Sequence, residues 1–190
     1  MLTMPNLLFT AARDIQEFIL AQEWDFCFIG GLAVLRWGEM RITQDVDLCL
    51  QVGFGQEEKY IPGLVKNFEP RISNACEFAR QHRVLLLRSF NKVAIDIAFS
   101  GLDFETRMIQ RATLFQFQKE MWLKTCSAED LIILKAFADR PQDWLDVEGI
   151  LARQGIGINR PFCIEELAQL CLARDNSDIV DHFKQLLDRV

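Results

Sequence analysis

Two aspartates separated by one apolar residue constrain this chain more than any other feature. Asp45 and Asp47 alternate with apolar side chains over residues 45–52, which is the period of a β-strand. Residues at positions i and i+2 of a strand project from the same face, with roughly 7 Å between their Cα atoms. Two carboxylates this close repel each other, and Mg²⁺, which takes oxygen ligands, removes the conflict. The pattern predicts a divalent-cation site, and a solvated strand edge is the alternative.

A third aspartate lies in a second apolar segment. Asp96 is the only charged residue of residues 93–99, where a charge is expected to be excluded from the core side of a strand. If this strand lies beside the first, three carboxylates converge. Enzymes that catalyse in-line phosphoryl or nucleotidyl transfer use carboxylates of this kind to bind two metal ions.

A glycine doublet precedes the paired aspartates. Thirteen residues separate Gly30-Gly31 from Asp45, and the doublet lies between a strand-like segment, residues 24–29, and a short helical pattern, residues 32–37. Glycine lets the backbone approach an anion closely, and the free N–H groups at the start of a helix bind phosphate. The doublet alone also fits a plain turn. Together with the carboxylates it favours a nucleoside triphosphate as substrate.

The glycine doublet, the Asp45-Val46-Asp47-Leu48 motif and Ile95-Asp96-Ile97 resemble the signature of the DNA polymerase β-type nucleotidyltransferase superfamily. Within it, residues 30–33 and 41–47 resemble the AbiEii-type branch, which includes toxins of type IV toxin–antitoxin systems. Residues 127–135 and 140–147 resemble the C-terminal motif of that branch. The resemblance covers roughly residues 25–150.

The resemblance implies a role for each matching residue. Asp45 and Asp47 would bind the metal ions, two Mg²⁺ with the NTP bound, and Asp96 would complete the metal site and help to deprotonate the acceptor. Gly30 and Gly31 would cradle the triphosphate. Four further residues are candidates for nucleotide binding: Arg41, Thr43, Lys135 and Asp146.

Some of these further candidates have structural alternatives. Arg41 and Thr43 precede the paired aspartates at alternating positions and could extend their face towards phosphate oxygens, or Arg41 could simply offset the acidic cluster. Lys135 lies in an otherwise apolar helical segment, where a buried lysine needs an anion, whereas a snorkelling lysine would reach solvent. Asp143 fits the acidic first turn of a helix better than a catalytic role.

The periodicities divide the chain into two parts. Residues 1–126 are predicted to form an α/β (α+β) nucleotidyltransferase core with a mixed sheet, and residues 127–190 an α-helical annex that begins at a Ser127 cap. The core is expected to contain a hairpin of residues 83–89 and 92–99, one later β-like passage at residues 115–125, and helices at residues 5–22, 56–68, 74–81 and 103–111. The annex is expected to contain helices at residues 128–139, 142–153, 164–173 and 177–189.

Charge and composition limit the classes of binding partner and the cell compartment that we expect for this protein. The net charge is −6, which argues against sequence-blind nucleic-acid binding over the whole surface, but residues 59–92 carry seven basic and two acidic residues. This segment is either a solvated face or a guide for an RNA acceptor. No apolar stretch approaches the ~20 residues of a spanning helix. The six cysteines form no C-x-x-C pair, so we expect a cytoplasmic protein with reduced cysteines and no membrane partner.

The sequence therefore predicts a metal-dependent nucleotidyltransferase that moves NMP from an NTP to an acceptor hydroxyl. The resemblance to the AbiEii-type branch favours RNA or tRNA as the acceptor and implies the toxin of a toxin–antitoxin pair with a cognate antitoxin. The alternatives are a small-molecule (antibiotic-type) or protein nucleotidyltransferase, and a catalytically silent nucleotide-binding relative. A phosphodiesterase or nuclease would use the same carboxylates but has no need of the glycine doublet.

Overall fold

The computed structural model describes residues 7–172 and 178–189. The helices are α1 (Leu7–Ala21), α2 (Gly30–Trp37), α3 (Ile61–Asn67), α4 (Ala75–His82), α5 (Asp103–Arg111), α6 (Ala128–Ala138), α7 (Pro141–Gln154), α8 (Arg160–Leu172) and α9 (Asp178–Leu187). The strands are β1 (Phe26–Phe28), β2 (Asp45–Leu50), β3 (Glu69–Pro70), β4 (Val84–Arg88), β5 (Ala94–Phe99), β6 (Thr113–Gln118) and β7 (Met121–Thr125). The predicted helix ends at residues 5–6, 173 and 177 lie outside the described residues.

The seven strands form one mixed sheet in the order β3-β4-β5-β2-β1-β7-β6. β2 is parallel to β5 and β1 is parallel to β7, whereas the other neighbouring strands are antiparallel. The predicted hairpin is the antiparallel pair β4–β5. The predicted fold class, a mixed α/β sheet followed by helices, is confirmed.

The centre of the sheet has one buried and one half-exposed face. Inward side chains of β2, β4 and β5 alternate with outward ones, as the period of a strand requires. The buried face consists of Val46, Leu48, Leu50, Leu85, Leu87, Ile95, Ile97 and Phe99. Helix α1 packs on β2 and β7, α4 packs on β4, and α5 packs on β1 and β2. Burying each such apolar side chain contributes about 1.5–3 kcal/mol, which makes the strand register strongly preferred.

The structure differs from the sequence-based expectation in three places. Helix α2 begins at Gly30, so the glycine doublet is the first turn of a helix instead of a turn before it. The β-like passage at residues 115–125 is two strands, β6 and β7, joined at a bend where Glu120 has a φ of 61°. The expected helix at residues 56–68 is a short 3-10 helix, Glu57–Lys59, followed by α3, which has Pro62 in its first turn, where the missing N–H costs nothing.

The chain divides into two compact units, Met1–Leu32 with Ile42–Cys126 and Ala33–Arg41 with Ser127–Val190. One border between the units lies before Ser127, and Ala33–Arg41 groups with the helical unit. The side chains of Arg153 and Gln154 donate to the carbonyls of Gly38 and Trp37, which ties this segment to the end of α7. Helix α6 begins as expected, because the Ser127 hydroxyl accepts from the Asp130 N–H at 3.0 Å.

Within the helical unit, α6 packs against α7, α8 and α9. Over the described residues, 7–172 and 178–189, none of the helices combines the length and the apolar character needed to cross a membrane.

Candidate active site

Three aspartates share one face of the sheet. In the parallel register of β2 and β5, Asp47 lies opposite Asp96 and Asp45 lies opposite Ala94. Neighbours in register point to the same side, and adjacent strands are about 4.8 Å apart. Asp45, Asp47 and Asp96 therefore project from the half-exposed side of β2 and β5, which we call the acid face.

The acid face is open to solvent, unlike the opposite side of the same strands. Asp45 is exposed, and Asp47 and Asp96 are half-buried. Burial raises the pKa of Asp96 above its ordinary value and the negative charge of Asp45 raises it further, while the Arg71 guanidinium opposes both effects. The three carboxylates are thus a site of concentrated negative charge that cations stabilise.

The start of α2 lies against the acid face. Gly30 has a φ of 56°, and a Cβ built on it would fall 2.7 Å from the Cβ of Asp47, closer than real Cβ atoms approach. The Ile29 N–H donates to the carbonyl of Asp47 at 3.0 Å, which joins the end of β1 to β2 at this level. Because the first-turn N–H groups of a helix have no partner within the helix, this contact brings backbone donors beside the carboxylates.

Thr43 continues this surface. Its hydroxyl donates to Asp45 Oδ1 at 3.3 Å, and a Cβ on Gly31 would fall 2.7 Å from the Cβ of Thr43. Both glycines are therefore needed for the close packing of α2 against the segment that leads into β2. Thr43 lies next to Asp45 as the alternation predicts, and its role in phosphate binding stays a prediction.

Sequence reasoning missed Arg71. This residue follows β3, and its guanidinium Nη2 donates to Asp96 Oδ1. The backbone N–H of Arg71 donates to the carbonyl of Leu86, the β4 residue that lies beside Asp96. The contact depends on a two-residue strand that pairs across 17 positions of sequence, between Pro70 and Leu87, so no local pattern reveals it.

Three other candidates, Arg41, Lys135 and Asp146, lie together in the helical unit. Arg41 donates to both carboxylate oxygens of Asp146, at 2.9 and 3.1 Å, and Lys135 Nζ lies 2.7 Å from both Asp143 Oδ1 and Asp146 Oδ2. The Lys135 side chain is 7% exposed, so the anions that this buried lysine requires are carboxylates of α7. Their role in nucleotide binding stays a prediction.

Asp143 is part of the same cluster and lies in the first turn of α7, as the sequence predicts. Burial raises its pKa, but hydrogen bonds from Arg140 and Lys135 and the charges of both outweigh burial, so the pKa of Asp143 lies below its ordinary value. A buried ion cluster of this kind orders the helices that carry it.

The oxygen donors of the acid face fit a divalent cation. Three carboxylates on one face are the hard ligands that Mg²⁺ prefers, and Gly30 packs directly against the Asp47 side chain. Across the described part of the chain, no three His, Cys, Asp or Glu side chains are gathered around a common point as a finished metal site. Of the three carboxylates of the acid face, Asp96 forms an ion pair with Arg71.

The architecture is shared with solved structures at low sequence identity. The solution structure of the antibiotic-resistance factor ANT(2'')-Ia matches with a TM-score of 0.54 and 13% identity, over 96% of this chain and 99% of that one. The crystal structure of ANT(2'')-Ia in complex with adenylyl-2''-tobramycin matches with a TM-score of 0.51 and 14% identity, over 87% and 95%. An antigenic nucleotidyltransferase-like protein from Paracoccidioides brasiliensis matches with a TM-score of 0.50 and 16% identity, over 90% of both chains. These likenesses show a common fold.

Sequence comparisons give one further match. No curated protein matches the chain significantly. Residues 6–181 match a family model described as "Nucleotidyltransferase of unknown function (DUF6036)".

Proposed function

Since the chain belongs to the family of nucleotidyltransferases of unknown function DUF6036, we propose that it transfers a nucleoside monophosphate from an NTP to the hydroxyl of an acceptor. One observation carries the proposal: three aspartates share a face of the sheet beside the glycine start of α2. In the reaction, the acceptor oxygen bonds to the α-phosphorus, the bond from that phosphorus to the β-phosphate bridging oxygen breaks, and pyrophosphate leaves.

Each residue of the acid face has a role in this proposal. Asp45 and Asp47 hold Mg²⁺, and Asp96 completes the ligand set. Bound there, two Mg²⁺ would neutralise the triphosphate and lower the pKa of the attacking hydroxyl. Asp96, half-buried beside the other two, takes up the proton that the acceptor hydroxyl loses.

Gly30 and Gly31 bind the triphosphate through the backbone. First-turn N–H groups and the positive end of the α2 dipole favour an anion. A side chain at either position would collide with Asp47 or Thr43, so the glycines allow the N–H groups of α2 to lie close to the carboxylates. The Thr43 hydroxyl, next to Asp45, adds a donor for a phosphate oxygen.

We place a small molecule first among the acceptors. The basic segment, residues 59–92, is the sequence feature that favours RNA, but four of its seven basic side chains form ion pairs, Arg71 with Asp96, Arg80 with Glu58, Arg83 with Glu57 and Lys92 with Glu69. These pairs weaken the field that a phosphate backbone would require. A neighbour of the same fold that holds adenylyl-2''-tobramycin supports a hydroxyl-bearing small molecule.

RNA is the second candidate acceptor. It is favoured by the net positive charge of residues 59–92 and by the motif resemblance to the AbiEii-type branch. If the acceptor is RNA, the chain would belong to that narrower branch and would act as a toxin with an antitoxin partner. A protein acceptor stays a third.

Label transfer tests the proposal. The full chain is incubated with Mg²⁺, each α-³²P-labelled NTP in turn, and either aminoglycosides, total tRNA or a protein lysate. We expect label on one acceptor class and no transfer of label from γ-labelled NTP. Asp45→Asn should lose transfer. Asp25→Asn, which removes an exposed charge before β1, should retain it.

Three results would contradict the proposal. Label on no acceptor with any NTP, despite measurable NTP binding, indicates a silent relative. Shortening of RNA with Mg²⁺ and no NTP indicates a nuclease. Equal transfer by the wild type and Asp45→Asn removes the acid face from the reaction.

A further inference from the structure

Arg71 is the one cationic group that the structure brings into contact with Asp96 among the described residues. Both side chains are partly exposed, Arg71 at 26% and Asp96 at 32%. The proposed function requires the same carboxylate to bind a cation. A single carboxylate oxygen cannot serve a guanidinium and a metal ion equally well, so the two cations are alternatives at this oxygen.

The Arg71–Asp96 contact is built differently from the other arginine–aspartate pair described above. Arg41 uses Nε and Nη2 on both oxygens of Asp146, whose side chain is 3% exposed. Arg71 uses Nη2 on one oxygen, and its Nε is buried with no hydrogen-bond partner among the described residues. Two-point arginine pairs are the stronger and more specific kind. The Arg71 contact is therefore the one suited to exchange.

The backbone keeps Arg71 near the acid face when its side chain turns away. Its N–H donates to the Leu86 carbonyl at 3.0 Å, and Leu86 pairs with Asp96 across β4 and β5. A guanidinium released from Asp96 thus stays beside the carboxylates and is available to another anion. The buried, unpartnered Nε gives it a donor to offer.

We propose that Arg71 is an exchangeable counter-ion of the acid face that competes with a divalent cation for Asp96. This inference rests on the proposed function. The Arg71 contact weakens the binding of a divalent cation in the absence of nucleotide, because the cation must displace the guanidinium. A triphosphate offers Arg71 a new anionic partner, so the cation and the nucleotide bind together more readily than the cation binds alone.

The test measures Mn²⁺ affinity in the absence of nucleotide, from the EPR signal of free Mn²⁺. Arg71→Gln removes the competitor and should tighten Mn²⁺ binding about tenfold, the effect expected from losing one charged hydrogen bond. Arg71→Lys keeps the charge and should remain near the wild type. Arg88→Gln is the matched control, because Arg88 lies on the half-exposed face of β4, beside β5, and its loss changes the charge by the same amount.

The coupling to nucleotide gives a second measurement. A non-hydrolysable NTP analogue should increase the Mn²⁺ affinity of the wild type several-fold more than that of Arg71→Gln, because the variant has no guanidinium to exchange. Melting temperatures check that each variant is folded. Should Arg71→Gln not fold, Arg71→Met, which also removes the charge, carries the test with the same expected results.

The outcomes separate this inference from the proposed function. If Asp47→Ala abolishes Mn²⁺ binding but Arg71→Gln leaves the Mn²⁺ affinity unchanged or lowers it, the role of Arg71 is overturned and the metal site stands. Equal tightening in Arg71→Gln and Arg88→Gln also overturns that role, because the general field then explains the effect. Absence of Mn²⁺ binding in the wild type and all variants, with and without nucleotide, overturns the metal site and the inference together.

Discussion

Gly30 and Asp47 are packed so closely that a Cβ on Gly30 would fall 2.7 Å from the Cβ of Asp47. Gly30 also has a φ of 56°, a conformation that costs other residues roughly 1–2 kcal/mol. The residue therefore meets two independent requirements, one of backbone conformation and one of space. Both arise where the start of α2 packs against β2.

Gly30→Ala should lower both stability and transfer. We expect a loss of about 2 kcal/mol or more, from the backbone conformation and the overlap with Asp47. Urea unfolding measures the stability and label transfer measures the activity. Gly157→Ala is the control, because a Cβ at Gly157 would have no neighbour within 4 Å. Wild-type transfer by Gly30→Ala would show that α2 can move away without consequence for the site.

Asp47→Ala should abolish transfer and leave the fold intact. Removing one of three carboxylates from a shared face relieves repulsion, so the melting temperature should stay the same or rise. The rate should fall at least ~100-fold, as when a group that stabilises the transition state electrostatically is lost. Asp25→Asn, an exposed change before β1, should retain activity. A large loss of stability in Asp47→Ala would assign this aspartate to structure instead of catalysis.

Lys135→Met distinguishes a structural lysine from a nucleotide ligand. The variant leaves Asp143 and Asp146 buried with fewer cations, and breaking a buried pair costs about 3–5 kcal/mol. We expect a large drop in the unfolding free energy measured in urea. Lys184→Met, at a 53% exposed position of α9, should have little effect.

A different outcome would support the prediction from sequence. If Lys135 binds the triphosphate, Lys135→Met raises the KM for NTP strongly while the unfolding free energy changes little. The ion pairs with α7 would then be incidental to the fold. Measuring both quantities on the same preparation decides between the two roles.

Much of the core could be predicted because its signals are local. Strand β2 follows from an alternation over six residues, and the apolar surroundings of Asp96 identify β5 in the same way. The parallel register that puts Asp47 opposite Asp96 is non-local, yet the motif resemblance implies it. The Ser127 cap is a three-residue pattern and marks the start of α6 correctly.

The remainder depends on contacts between distant segments. Arg71 reaches Asp96 only because β3 pairs with β4, and a two-residue strand has no periodicity to detect. The sequence indicates that Lys135 needs an anion if it is buried, but no local pattern indicates that α7 supplies it. Likewise, nothing local indicates that the segment Ala33–Arg41 joins the helical unit through Arg153.

The lowered pKa of Asp143 predicts an acid-sensitive contribution to stability. A carboxyl whose pKa is lower in the folded than in the unfolded chain stabilises the fold above its unfolded pKa, near 3.9, and this stabilisation disappears as the pH falls through the folded value. Asp143→Asn should therefore be less stable than the wild type at pH 7, and the gap should begin to narrow below about pH 4. Urea unfolding from pH 7 to pH 3 measures it, with Asp181→Asn, at an exposed site on α9, as the control. A gap that stays constant over this range would mean that packing, and not the ionised carboxylate, accounts for the contribution of Asp143.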